Sequence, residues 1–113
     1  MDDRAPGMPA AAEALVAMQA NAAEATAFLK AIAHEGRLMI LCHLAEGEKS
    51  VTELEAHLGL RQAAVSQQLA RLRADGLVTA RRDGKAIHYR LVDPRAAALM
   101  ETLYALFCAP DPG

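Results

Sequence analysis

Helical spacing of apolar residues along most of the chain, two short helices meeting at a glycine, and an Asp-Gly pair between alternating runs predict a mainly α fold with one small β-hairpin. The composition agrees. Hydrophobic residues make up 53% and aromatic residues only 4%, with Ala and Leu abundant, which favours helices over a β-sandwich. At 113 residues there is material for about one domain, enough to bury a core without a disulfide scaffold or a structural metal. A net charge of −2 at this apolar content argues against disorder.

Residues 1–10 hold two Pro and one Gly and are expected to form a flexible tail, with 110–113 as a second tail and the domain spanning 11–109. The spacing of Leu15, Met18, Ala22, Ala25, Leu29 and Ile32 predicts an amphipathic helix over 11–34. A second helix, over 35–45, carries Leu38, Met39, Ile40, Leu41, Cys42 and Leu44 almost all round, so it is expected to lie buried at the centre, ending at Gly47. Ser50-Val51-Thr52-Glu53 reads as a capping box, in which the Ser hydroxyl accepts an orphan amide and the Glu reaches back to the Ser amide. The helix that follows buries Val51, Leu54 and Leu58 and stops at Gly59. A fourth helix, over 62–74, turns Val65, Leu69 and Leu72 inward and stops at Gly76. Runs 77–82 and 85–92 flank Asp83-Gly84, which suits a type I′ turn, with Ile87, Tyr89 and Leu91 on one face and Ala86, His88 and Arg90 on the other. Asp93-Pro94 predicts the N-cap and first position of a last helix, whose Leu99, Leu103, Leu106 and Phe107 form a stripe before Pro110. A basic hairpin directly behind a helix-turn-helix is a winged helix-turn-helix.

The charge becomes informative once it is divided. Arg61, Arg71, Arg73, Arg81, Arg82, Lys85 and Arg90 face only Asp75 and Asp83 within residues 61–90, so that segment is +5 and the remainder −7. A cationic face on an acidic body is the footprint of nucleic-acid binding. Outward on the fourth helix stand Gln62, Ala63, Ser66, Gln67, Ala70 and Arg71 or Arg73, with Arg61 at its start. Small and amide side chains let a helix approach base edges in the major groove: Gln pairs with adenine and Ala meets a thymine methyl, while Ser and Arg reach phosphates or bases. Thr52 joins this face from the third helix. Arg82 and Lys85, near the hairpin tip with Arg81, are expected to hold phosphates. A solvated polar face or a protein-binding module is the bland alternative, and a steep fall of affinity with salt separates DNA binding from it. There is no nucleophile–base pairing, carboxylate pair in an evident cleft, or phosphate-binding Gly loop, so an enzyme and a cofactor are not expected.

The run RQAAVSQQLARLRADGLVTARRDGKAIHYRLVD, with GRLMILCHLAEGEKSVTELEAHLGL before it, resembles the ArsR-type winged-helix repressors over roughly residues 20–108. The resemblance implies a homodimer that binds pseudo-palindromic operator DNA and releases it when an inducer binds. It also implies dimerisation through the first and last helices, for which the stripes Leu15, Met18, Leu29 and Leu99, Leu103, Leu106 are suited. Metal sensing is common in this family, but its ligand sets are missing. Ser50-Val51-Thr52 stands where arsenic-type sensors carry a Cys-Val-Cys, and the last helix holds no His where zinc-type sensors carry them. His34 and His43 are expected to be surface or interhelical residues, while His57 and His88 stand alone, His88 on the outer face of the wing.

Cys42 and Cys108 are the two cysteines of the chain. Free Cys is often a small core residue. The acidic start of the chain lacks the cationic region of a secretory signal, and no apolar run suits a membrane span, so the expected location is the cytoplasm, with both thiols reduced. The chain is similar within the family to the sulfide- and persulfide-responsive SqrR/BigR repressors, whose paired thiols fall on the helices of Cys42 and Cys108. That similarity implies a sensor of reactive sulfur species that represses sulfide-detoxification genes until the two thiols are bridged. A repressor answering a metal ion or general oxidants is the alternative.

Overall fold

The computed structural model describes residues 11–108. The expected tails, 1–10 and 110–113, and the closing Pro110 lie outside them. The chain divides into two units, one ending at Lys30 and the other beginning at Ala31.

The first unit is the body of helix α1, Ala11–Ile32. Its Leu15, Met18 and Leu29 are exposed, Leu15 at 70%. The helix stops two residues before the expected end because His34 turns extended (φ −156°) and becomes the cap of the next helix, its Nδ1 accepting from the Gly36 amide at 3.0 Å.

The second unit is organised around α2, Glu35–Ala45, which packs against α3 (Val51–Leu58), α4 (Gln62–Ala74), α5 (Pro94–Phe107) and a strand of the wing. Ile40, Leu41 and Leu44 are buried and meet Leu54, Val65, Leu69, Leu72, Leu77, Val78, Ala96 and Met100 in one core. The expectation that α2 is buried all round needs correction. Leu38 and Cys42 are half-buried and Met39 is exposed, because the neighbouring elements cover one side of the helix and leave shallow grooves on the others.

Local signals account for the helix-turn-helix. Ser50 Oγ accepts from the Glu53 amide at 3.0 Å and Glu53 Oε1 accepts from the Ser50 amide at 2.9 Å, so the capping box forms as read. Gly59 ends α3 in the left-handed conformation (φ 65°), which a side chain adopts only at a cost. Val65, Leu69 and Leu72 then bury the inner face of α4.

The sheet differs from the expected hairpin in two respects. It has three strands in the order β1-β3-β2, because Lys49–Ser50 (β1) pairs antiparallel with Ala86–Leu91 (β3), which also pairs with Val78–Asp83 (β2). Second, Asp83 pairs with Ala86, so the turn is Gly84-Lys85 and not Asp83-Gly84. Only Gly84 has a positive φ (62°) there, the pattern of a type II′ turn with Gly at its first central position.

Asp93 caps α5 through its Oδ1, which accepts from the Arg95 amide at 2.8 Å, with Pro94 in the first position. Ala96 and Met100 are the buried side of this helix. Leu99 and Leu103 are half-buried on its flank, and Leu106 is 71% exposed.

Candidate DNA-binding face and thiol pair

The outward face of α4 is as read: Gln62, Ala63, Ser66, Gln67, Ala70, Arg71 and Arg73 are all exposed. Arg61 occupies the N-cap without a side-chain capping bond. The inner neighbour Gln68 is held from behind, because Arg37 Nη1 donates to its Oε1 at 3.2 Å while Arg37 Nε donates to the Ala31 carbonyl at 2.7 Å. That pair of bonds ties α4 to the start of the second unit. Arg71 Nε meets Asp75 Oδ2 at 3.1 Å one turn on, an exposed pair that a phosphate can displace.

The structure gathers four of the sequence-nominated residues around one cleft. Thr52 from α3, Gln62 and Ser66 from α4, and Lys85 from the turn line a space of about 390 Å³ together with Ser50, His88 and Tyr89. Arg82 and Lys85 are exposed at the tip, Lys85 as the second turn residue. Arg81 is different. Its guanidinium donates to both carboxylate oxygens of Glu48, with Nη2–Oε1 at 2.6 Å, and it pairs in register with His88. Its positive charge is therefore answered inside the protein, and this bond, with the nearby charge, holds the Glu48 carboxyl below the usual carboxylate range. Periodicity could not show this pair, which spans 33 residues of sequence.

Both thiols are free. Cys42 is half-buried on α2, and its Sγ lies 3.7 Å from Met100 Sδ of α5. Burial pushes the Cys42 thiol up, with a smaller contribution from Cys108. Cys42 opens into a groove of about 390 Å³ whose other wall is Ala97, Met100, Glu101 and Tyr104. Ala97, Glu101, Tyr104 and Cys108 follow one another at four, three and four residues, successive turns of one flank of α5. Cys108 is exposed at the helix end, and its amide still donates to the Tyr104 carbonyl at 2.8 Å. Cys42 thus lines the groove, while Cys108 stands one turn beyond its lining residue Tyr104. The stripe of Leu99, Leu103 and Leu106 lies on the other flank of the same helix.

Two expectations about histidine fail. His57 does not stand alone: its ring stacks on that of His43 with centroids 5.0 Å apart, which the separation of α2 and α3 in sequence concealed. His88 is not on an outer face. It is half-buried, pairs in register with Ser50 of β1, and lines the cleft shared with Thr52 of α3 and Gln62 and Ser66 of α4. Among the described residues no three His, Cys, Asp or Glu side chains form a group that could hold a metal ion, and no helix is long and apolar enough to cross a membrane.

Comparison with known proteins converges on one group. The family described as "Bacterial regulatory protein, arsR family" matches residues 34–80. The biofilm growth-associated repressor of Agrobacterium fabrum is 54% identical over 97 residues, covering 86% of this chain and 83% of that protein. The transcriptional activator HlyU of Vibrio cholerae is 46% identical over 91 residues, covering 80% and 84%. Among solved structures, the transcriptional repressor BigR from Xylella fastidiosa superposes with a TM-score of 0.81 at 46% identity, covering 85% of this chain and 98% of that one. These are DNA-binding regulators, not enzymes.

Proposed function

The chain belongs to the arsR family of bacterial regulatory proteins, and from that premise we propose that it is a cytoplasmic, homodimeric repressor whose operator is released when reactive sulfur species bridge Cys42 and Cys108. The observation that supports the sensing half is the placement of the chain's two cysteines, both free, on packed elements: Cys42 on α2, lining a groove walled by α5, and Cys108 at the C-terminal cap of α5, one turn past the groove residue Tyr104. The operator-binding half rests on the α4 face and the cleft beside the wing.

The chemistry uses only thiols and a hydropersulfide, RSSH. A protein thiolate attacks the terminal sulfane sulfur, forming a protein persulfide and expelling RS⁻, which takes up a proton as RSH. When both cysteines carry a persulfide, the terminal sulfur of one attacks the protein-side sulfur of the other. HS⁻ leaves, and a trisulfide bridge closes. Two thiols and two RSSH thus give one trisulfide, two RSH and one H₂S, with the sulfane sulfur as the oxidant. A plain disulfide needs Cα atoms within about 7 Å, and each inserted sulfur extends the reach by roughly 2 Å. In this reading Cys42 and Cys108 are too far apart for an easy disulfide but suitably placed for the longer bridge, and this reach selects persulfides over peroxide.

A bridge ties α2 to α5, and α2 also carries Arg37, which holds Gln68 of the reading helix. Releasing DNA about 100-fold requires a coupling of only about 2.7 kcal/mol. The exposed Leu15, Met18, Leu29 and Leu106, with half-buried Leu99 and Leu103, supply the self-association surface of this reading. The test is duplex binding by Cys42→Ser and Cys108→Ser beside wild type, each before and after an organic persulfide. Both variants are expected to bind DNA and to stay bound on treatment, while wild type lets go. Release by either variant as complete as that of wild type would contradict the bridge.

A further inference from the structure

We propose that His88 is a further DNA-contact residue, which holds a backbone phosphate as a cation and makes operator binding tighter as the pH falls below neutrality. The proposal rests on the DNA-binding reading of the face formed by α4 and the wing, and adds to it a residue placed there by β3.

The placement is specific. His88 sits in the middle of β3, registered with Ser50 on one side and Arg81 on the other, and it lines the same cleft as Thr52, Gln62, Ser66 and Lys85. A phosphate drawn in by Lys85 meets an imidazole beside it, and imidazole is the side chain whose charge changes in the physiological range. When cationic it donates from both ring nitrogens, and a hydrogen bond from a charged donor to phosphate is among the stronger ones.

The groups around it are of both signs. From the lead-in to β1 and from α3, the carboxylates of Glu48 and Glu53 lie close enough for His88 to help hold both below the usual carboxylate range. Lys49 flanks Glu53, and Arg81 of β2 and Arg90 of β3 flank Glu48. Lys85 stands at the rim, α4 supplies only the neutral Gln62 and Ser66, and neither α2 nor α5 contributes to the lining. Arg81 is bonded to Glu48, so the cation nearest His88 on β2 is already answered. An arriving phosphate is held better by the cationic ring, which donates from both nitrogens, than by the neutral ring, which donates from one. DNA therefore binds the protonated form preferentially, and by linkage acid tightens DNA binding.

The experiment uses the full-length protein and mixed-sequence duplex DNA long enough for two half-sites about one helical turn apart. Affinity is measured by fluorescence anisotropy across a salt series at about pH 8 and about pH 6, for wild type, His88→Gln and His88→Lys. Wild type is expected to bind about tenfold tighter at the lower pH, with a log–log salt slope steeper by about 0.9 for each wing engaged. His88→Gln should lose this difference in both readouts, and His88→Lys should bind tightly with the steeper slope at both pH values. A wild-type pH response retained in His88→Gln would overturn the assignment and pass it to His34, His43 or His57, which lie outside the cleft. Should the Gln variant fail to fold, a pH response retained in His88→Lys overturns it equally. Absence of duplex binding by wild type at both pH values would overturn the DNA-binding reading and this assignment with it.

Discussion

Replacing Lys85 with Ala separates the two kinds of contact that the DNA-binding face is built to make. Lys85 is exposed, lines the cleft with Thr52, Gln62 and Ser66, and sits in the turn position that does not need a positive φ, so Ala fits without strain. One Lys on each wing of a dimer amounts to about two phosphates. Losing them lowers the log–log salt slope of duplex binding by about 1.8, which is a roughly 60-fold loss of affinity near 0.1 M salt if counterion release is the whole effect. The loss should be the same for every duplex sequence, because phosphate contacts position the protein without reading bases. Gln67→Ala is the counterpart on the exposed face of α4. It should leave the slope unchanged and reduce discrimination between sequences by about 1–3 kcal/mol. Arg81→Ala is the internal control, since its charge is already answered by Glu48. Anisotropy titrations over a salt series, with duplexes selected from a random pool and with mixed-sequence DNA, give all three readouts. An unchanged slope in the Lys85 variant together with a reduced slope in the Arg81 variant would refute the assignment of the wing.

Three other expectations follow from the same geometry. The Arg95 guanidinium and the capping bond hold the Asp93 carboxyl below the usual carboxylate range, so its contribution is present above about pH 4 and is lost as acid carries the pH through its lower folded value. Asp93→Asn keeps the cap but not the charge, so its Tm should fall less steeply than that of wild type below pH 4; parallel curves would contradict this. Leu15→Glu and Leu106→Glu place a charge on exposed apolar stripes and should shift sedimentation from dimer to monomer with weaker duplex binding. An unchanged dimer in both would remove those stripes from the interface. Burial and the Cys108 charge push the Cys42 thiol up, so at neutral pH it should be alkylated more slowly than exposed Cys108 and catch up as the pH rises; faster labelling of Cys42 would contradict the burial argument.

The elements that could be read from sequence are those whose ends are marked by neighbours along the chain. The bounds of α2 and α4 are matched to the residue, and the capping box at Ser50 and the Asp93-Pro94 start of α5 both form. What could not be read depends on residues far apart. A two-residue strand carries no alternation, so β1 became visible only through its partner β3, as did the pairing of Ser50 with His88. The turn shifted by one residue because pairing of Asp83 with Ala86 outweighs the local preference of Asp-Gly. The stacking of His43 on His57 and the Arg81–Glu48 pair belong to the same class. For Cys108, helical arithmetic places it one turn beyond Tyr104. That this flank of α5, and not that of Leu99 and Leu103, faces Cys42 is a fact of tertiary packing.

The central claim is tested most directly by intact mass spectrometry of the reduced protein after an organic hydropersulfide, beside samples treated with peroxide and with Zn(II), and with duplex binding followed on each. The account predicts a gain of whole sulfur atoms with loss of two thiol hydrogens, and loss of DNA binding in the persulfide sample alone. An unchanged mass with persulfide, a peroxide disulfide formed just as readily, or release of DNA by zinc alone would contradict it.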